Sequence, residues 1–374
     1  MKPRKITAYT ILLGFALSLS FSQAVFSAQK KGQKKGGKQE EKKEEKIIIP
    51  PEIQSILKQG LDTREGYKDI NCSITRNLIL PGRNNVYSIF LFKIKNADLG
   101  FMPALVPPTE EQEEETQEAE AQPAQLQTAL NFFLQFYTLK NKKPVSLHKE
   151  VWIPVFLQEE EDKYNPDKEE LYTISYPLPP GDYLLAMAIT SLRTQKIGTV
   201  YYEFSLPDLF APFAKLNISP VIFARSVEEI PSPEMTAEVH RGFFNWSILK
   251  IKPVADNILS PKDQLEIFFF ISGAQVDQTT GRPNLKITYE VLQEEKPAIR
   301  YEPILYASPF IEQPLRLEQT VIIKQDGKEI RRETRPLKPG EYTLSIKVMD
   351  KISGNSVAEK IPFEVKTENS VKSE

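Results

Sequence analysis

Any chemistry in this 374-residue chain has to start from few residues, because it holds only two histidines, His148 and His240, and one cysteine, Cys72. Nucleophilic catalysis pairs Ser or Cys with a nearby base that a third group orients. His148 opens an expected strand before Lys149-Glu150, and His240 sits before Arg241-Gly242 in an expected loop. Neither lies in a nucleophile motif, so both read as ordinary surface residues. The chain has no Gly-x-Ser-x-Gly elbow, phosphate-cradling glycine loop, Cys-x-x-Cys pair or His-Glu-x-x-His helix. Two imidazoles do not make a His-rich metal cluster, and no cofactor or metal is expected. Paired carboxylates can hydrolyse a glycosidic bond, yet most acidic residues here lie in runs that solvate loops. Asp350, Ser353 and Asn355 have Ca²⁺-ligating side chains, but a tight turn already explains those residue types. The expectation is a protein that is not an enzyme.

Aromatic side chains offer a second route to function, as stacking platforms for sugars or as protein contacts. The candidates are Tyr201, Trp152, Trp246 and Tyr301, with Tyr306 beside them. In Val200-Tyr201-Tyr202, strand alternation sends one Tyr inward and the other outward. Most of the 21 Phe and 14 Tyr must simply fill cores.

The elements that would position these residues follow from composition. There are 48 Lys+Arg against 50 Asp+Glu, a net charge of −2, so the molecule has no electrostatic footprint for nucleic acid. Proline (29) well above glycine (16), with many aromatics, reads as strands and turns. Lys2, Arg4 and Lys5 precede an apolar run at 6–21, and Ser22 and Ala24 give a small-x-small pattern. This predicts a signal peptide over 1–24 cleaved after Ala24, with cleavage after Ser27 or Ala28 as alternatives. No later stretch approaches about 18 uninterrupted apolar residues, so no transmembrane segment is expected in the mature chain. The location expected is periplasmic or extracellular, in a bacterium. Cys72 is read as a small buried strand residue beside Ile70 and Ile74, with an intermolecular disulfide as the alternative.

Residues 25–46 are a Lys/Glu-rich linker expected to be disordered, with nothing apolar between 30 and 46. Ile47-Ile48-Ile49-Pro50-Pro51 then introduces a short helix within 47–63, where Ile53, Ile56 and Leu57 recur at helical spacing until Gly60. Residues 106–127 carry seven Glu and no basic residue, and read as a disordered acidic loop insertion.

The chain repeats itself. Pro179-Pro180-Gly181-Asp182-Tyr183 recurs as Lys338-Pro339-Gly340-Glu341-Tyr342, each leading an alternating strand and its hairpin partner. The offset is 340 − 181 = 159, whereas Leu80-Pro81 with 86–92 matches Ser260-Pro261 with 265–270 at 261 − 81 = 180. The difference of 21 points to the acidic stretch as an insertion in the first copy. Further strands are expected at 132–139, 150–157, 284–292 and 316–324, the last before a turn at Asp326-Gly327. The fold class is all-β: two tandem immunoglobulin-like β-sandwich domains, at 64–207 and 218–366, with a linker at 208–217 and a disordered tail at 367–374. Leu209, Phe210 and Phe213 in the linker suggest docked domains.

The series Ser219-Pro220-Val221-Ile222-Phe223-Ala224-Arg225, Lys250-Ile251-Lys252-Pro253, 264–270 and Lys338-Pro339-Gly340-Glu341-Tyr342 resembles the β-sandwich regions of bacterial exported proteins of the GWxTD-motif family. The Gly-Trp-x-Thr-Asp motif itself is absent, so the resemblance implies an exported sandwich and transfers no functional residue. Taken together, these features predict a non-catalytic envelope protein that binds an unknown protein partner. The alternatives are a carbohydrate-binding accessory protein, with coplanar exposed aromatics, and a hydrolase with two carboxylates converging between the domains.

Overall fold

Runs bounded by Pro and Gly with period-two alternation close into antiparallel strands, because a strand sends successive side chains to opposite faces. A computed structural model of the chain describes residues 49–82, 85–104, 124–209, 215–234, 236–261, 264–325 and 328–367. The expected signal peptide and linker, residues 106–123 of the acidic stretch, Phe210, Phe213, the turn at Asp326-Gly327 and residues 368–374 of the expected tail lie outside these residues. The described fold is all-β with two short helices.

In chain order the first half runs α1 (Pro51–Gln59), β1 (Cys72–Pro81), β2 (Val86–Lys95), α2 (Asn96–Leu99), β3 (Met102–Pro103), β4 (Gln125–Lys140), β5 (Lys143–Glu160), β6 (Glu169–Leu178), β7 (Gly181–Ser191) and β8 (Ile197–Leu206). Strands β1-β2-β6 form one sheet and β5-β4-β7-β8 the facing one, with β3 also on β4. Between them pack Phe90, Phe92, Tyr172 and Ile174 against Phe132, Leu134, Phe136, Leu185 and Met187. The other face of β7 is also buried: Ala186 and Ala188 lie with Phe133 under Ile53 and Leu57 of α1. Nine residues are too few for a stable isolated helix, so α1 exists by this packing.

The second half continues β9 (Asn217–Ile218), β10 (Ile222–Glu229), β11 (Val239–Arg241), β12 (Phe244–Trp246), β13 (Leu249–Pro253), β14 (Ile258–Leu259), β15 (Gln264–Ser272), β16 (Leu285–Gln293), β17 (Lys296–Arg300), β18 (Ile304–Tyr306), β19 (Phe310–Arg316), β20 (Glu318–Gln325), β21 (Lys328–Pro336), β22 (Gly340–Asp350) and β23 (Ser356–Val365). Here β10-β15-β19, extended by β13 and β12, faces β17-β16-β22-β23, extended by β14. Phe223, Ile267 and Phe269 meet Tyr289, Leu344, Ile346 and Phe363 in this second core. The strand order β1-β2-β6 over β5-β4-β7-β8 thus recurs as β10-β15-β19 over β17-β16-β22-β23.

The length difference between the copies has more than one source. The first copy carries a long β4–β5 hairpin as well as the acidic stretch, and the second carries its own extra hairpin, β20–β21. The acidic insertion also ends earlier than expected. Leu126 is buried and pairs with Glu159, so Gln125, Leu126 and Gln127 already belong to β4. Hydrogen bonding in the ladder overrides the polar composition of that end.

The two halves meet on a third apolar cluster. Leu78, Leu80, Ile89 and Leu91 from β1 and β2 pack on Ile222, Ala224, Phe244, Ile251 and Phe268 of the second half. One strand crosses the seam: β11 pairs with β6 in the first half's sheet. Leu209, between the halves, is buried in the first core. Cys72 opens β1, half-buried against that core, and burial pushes its thiol pKa well up.

Candidate interaction surface

The β4–β5 ladder sets which side chains of β5 face out. Phe133 pairs with Trp152, Asn131 with Pro154 and Ala129 with Phe156. Alternation then buries Val151 and Ile153 in the first core and turns Trp152, Pro154 and Phe156 to the face that carries α1. Two register shifts follow towards the hairpin end, and the first, between Phe136 and Tyr137, brings Leu147 opposite Tyr137, on the same outer face. Helix α1 covers the β7 and β8 side of this sheet and stops short of β5. Trp152 remains 47 % exposed and Phe156 58 %, with Leu147 and Val145 also exposed on the same strand.

Polar groups hold this stripe in place. Trp152 Nε1 donates to Asn131 Oδ1 at 2.9 Å. Beside it, Tyr137 OH donates to Gln135 Oε1 at 3.0 Å, and Gln135 Nε2 donates to Glu150 Oε1 at 2.7 Å. Burial, then the Glu150 carboxylate, pushes the Tyr137 phenol pKa up, which keeps it a neutral donor. At the far end of β5, the Arg241 guanidinium clamps Glu159 at 2.6 Å and Glu170 at 2.8 Å, tying β5, β6 and β11 together. Among the described residues β5 pairs with β4 alone, so its other edge carries backbone donors and acceptors with no ladder partner.

The remaining aromatic candidates are structural. Tyr201 lies on the outer face of β8, but α1 covers it, and its hydroxyl donates to the Leu57 carbonyl at 2.9 Å at the end of that helix. Gly60 permits this approach: a Cβ there would sit 2.3 Å from Tyr201 Cζ. Trp246 pins the seam, donating from Nε1 to the Pro81 carbonyl at 3.0 Å and packing 4.9 Å from the Phe310 ring. Tyr301 donates to the Arg316 carbonyl at 2.7 Å, and burial pushes its phenol pKa well up. Tyr306 is bound to Tyr289 and Gln313. Only Trp152 keeps the exposure a platform needs. Phe156, its neighbour on the stripe, escapes sequence reading because Val151-Trp152-Ile153-Pro154-Val155-Phe156 is apolar on both faces, and Leu147 because a register shift sets its face.

One further expectation changes. His240 is not a surface loop residue: it lies on β11 opposite Thr173 and is buried. The hydroxyl, amide and carboxylate groups around Asp350 bond to one another. Asp350 Oδ2 accepts from the Ser353 hydroxyl at 2.7 Å and the Gln275 amide at 3.0 Å, and Oδ1 accepts from the Ile352 amide at 2.9 Å. His148 is exposed, edge-on to Tyr183. No helix among the described residues is long and apolar enough to cross a membrane. No protein-family model and no curated protein matches the chain.

Proposed function

We propose that this chain is an exported, non-catalytic β-sandwich protein of the bacterial cell envelope that works by holding another protein against β5. The observation that carries this reading is the stripe of Leu147, Trp152, Pro154 and Phe156 beside α1, on a strand whose outer edge has no partner among the described residues. Contiguous exposed apolar surface on a soluble fold marks a contact site, and an open strand edge adds main-chain hydrogen bonds to side-chain burial. Export rests on the basic start and apolar run at 2–21. The basic linker and acidic insertion serve as reach or charge elements.

The carbohydrate alternative is weaker on chemical grounds. Trp152 and Phe156 are four residues apart, about 13 Å along a strand, and the polar groups beside Trp152 are engaged within the protein, Asn131 Oδ1 by Trp152 itself and Gln135 by Tyr137 and Glu150. Sugars need polar partners close to each stacked ring, whereas protein side chains fill an aliphatic and aromatic stripe directly.

A photo-crosslinking amino acid placed at 152 or 156 tests the reading, with position 286 on the outer face of β16 as the control. In native envelope extract, 152 and 156 are expected to yield one discrete protein adduct that position 286 does not. Adducts identical at all three positions, or polysaccharide alone at 152 and 156, would overturn it.

A further inference from the structure

Away from β5, the segment that crosses the seam brings together three metal-ligating groups. Glu234, Glu238 and His240 each offer a ligand atom, and these atoms lie within 4.8 Å of one another. His240 Nε2 is 3.0 Å from the Glu234 carboxylate. We propose that these three residues bind a divalent transition-metal ion of the zinc class. One imidazole nitrogen with two carboxylates is a donor set that such ions favour.

The site is built rather than incidental. Pairing with Thr173 in β6 fixes the His240 backbone, and the imidazole stacks on the Phe243 ring at 4.5 Å. Thr173 Oγ1 in turn donates to the Phe243 carbonyl at 2.5 Å, and Lys250 Nζ lies 4.4 Å from that ring's centre. Nine-tenths of the His240 side chain is buried, so its ring has little freedom to leave the site. Glu234 is held from the other side by the Asn245 side-chain amide of β12. The oxygen of that same amide is buried and has no hydrogen-bond partner, an orphaned acceptor next to the carboxylate.

Tetrahedral zinc with bonds of about 2.0–2.2 Å sets its ligand atoms roughly 3.4 Å apart. His240 and Glu234 are already closer than this. The carboxylate of Glu238, which is exposed and has its ligand atom within 4.8 Å of the other two, closes on them to complete the set. The ion would join β11, which belongs to the first half's sheet, to the Glu234 segment that β12 of the second half holds. Its role is therefore to staple the strand crossing, with the remaining coordination positions open to water.

The test uses the mature chain, stripped with chelator and titrated with Zn²⁺ by calorimetry and with Co²⁺ by visible absorption. Wild type is expected to bind one ion per chain, with Co²⁺ bands characteristic of low-coordinate nitrogen and oxygen ligation. Glu238→Gln, at an exposed position that folding does not depend on, should weaken Zn²⁺ at least tenfold. His240→Asn should abolish binding, and circular dichroism checks that it stays folded. In a Trp152→Phe background Trp246 is the only tryptophan, next to Asn245, and bound Co²⁺ should quench it. His148→Ala, the control for the other imidazole, should bind as wild type. Binding of less than a tenth of an ion per chain overturns the proposal. So does affinity that Glu238→Gln leaves unchanged, which would place the ion elsewhere.

Discussion

Strands β7 and β22 begin from the same short sequence and end in different surroundings. Tyr183 and Tyr342 each donate a hydroxyl to the carbonyl four residues back, of Pro179 at 3.0 Å and Lys338 at 2.9 Å. Each ring stacks on a Phe of the next strand, Phe204 at 5.6 Å and Phe363 at 5.7 Å, with nearly equal tilts of 23° and 24°. On the opposite face the copies diverge. Ala186 and Ala188 are buried under α1, while Ser345 and Lys347, at the equivalent positions, are half-buried and exposed. The inner face of a sandwich strand is constrained by its own core, but the outer face is free to acquire a covering. The first copy has used that freedom to seat a helix, and the helix leaves β5 of the same sheet bare.

The largest expected effect contrasts those outer faces. Ala188→Asp places an unpaired carboxylate beneath α1 and should cost at least about 3 kcal/mol. Lys347→Asp, at the matching position, should stay within about 0.5 kcal/mol. Denaturant titration of both variants checks this, and equal losses would mean that α1 is not a structural covering.

The strand ends give the next contrast. Asp350 and Ser191 occupy equivalent positions, but Asp350 takes three hydrogen bonds and Ser191 Oγ takes one, from the Thr194 amide at 3.3 Å. Asp350→Ala should cost about 2–3 kcal/mol at pH 7, because hydrogen bonds to a charged group are the stronger kind. Ser191→Ala should cost about 1 kcal/mol or less. Burial alone would raise the Asp350 pKa, but the Gln275 amide, the Ser353 hydroxyl and the Ile352 amide outweigh it and hold the value below the ordinary 3.8. The stability that Asp350 contributes is therefore fully present above that value and lost as pH falls through the lower folded one. Urea midpoints between pH 2.5 and 7 should show a shallower acid limb in Asp350→Asn than in wild type. An unchanged acid limb would remove the carboxylate from the account.

Smaller effects test the shared features. Tyr183→Phe and Tyr342→Phe should each cost about 1 kcal/mol, one hydrogen bond apiece. A difference above about 1 kcal/mol between them would show that the two corners are alike in geometry only. The smallest stability change belongs to Trp152→Ser, expected within about 0.5 kcal/mol, combined with loss of the protein adduct formed through position 156. A folding defect would instead make Trp152 a structural residue like Trp246.

Much of the fold was legible because β-structure writes itself locally. The repeat at Gly181 and Gly340, the alternation after each, and the helical spacing of Ile53 and Leu57 all predicted elements that the structure contains. Leu184, Ala186 and Ala188 are apolar where Thr343, Ser345 and Lys347 are polar, and β7 is the strand whose outer face is covered. The candidate surface was less legible. Alternation says that Tyr201 and Trp152 leave their cores, but not what lies on the far side. For Tyr201 that is α1, about 140 residues earlier in the chain; for Trp152 among the described residues it is open surface. His240 shows the same limit. Its neighbours Arg241-Gly242 look like a turn, yet a partner strand drawn from the other half buries it.

The sequence by itself determined an all-β chain with duplicated strand patterns, since alternation, Pro/Gly punctuation and core aromatics act over a few residues. The tertiary structure alone decided which apolar faces are covered, that β11 crosses to the first half's sheet, and that Glu234, Glu238 and His240 converge. Those outcomes depend on contacts between distant segments, and a period-two pattern that is apolar on both faces carries no information about which face finds a partner.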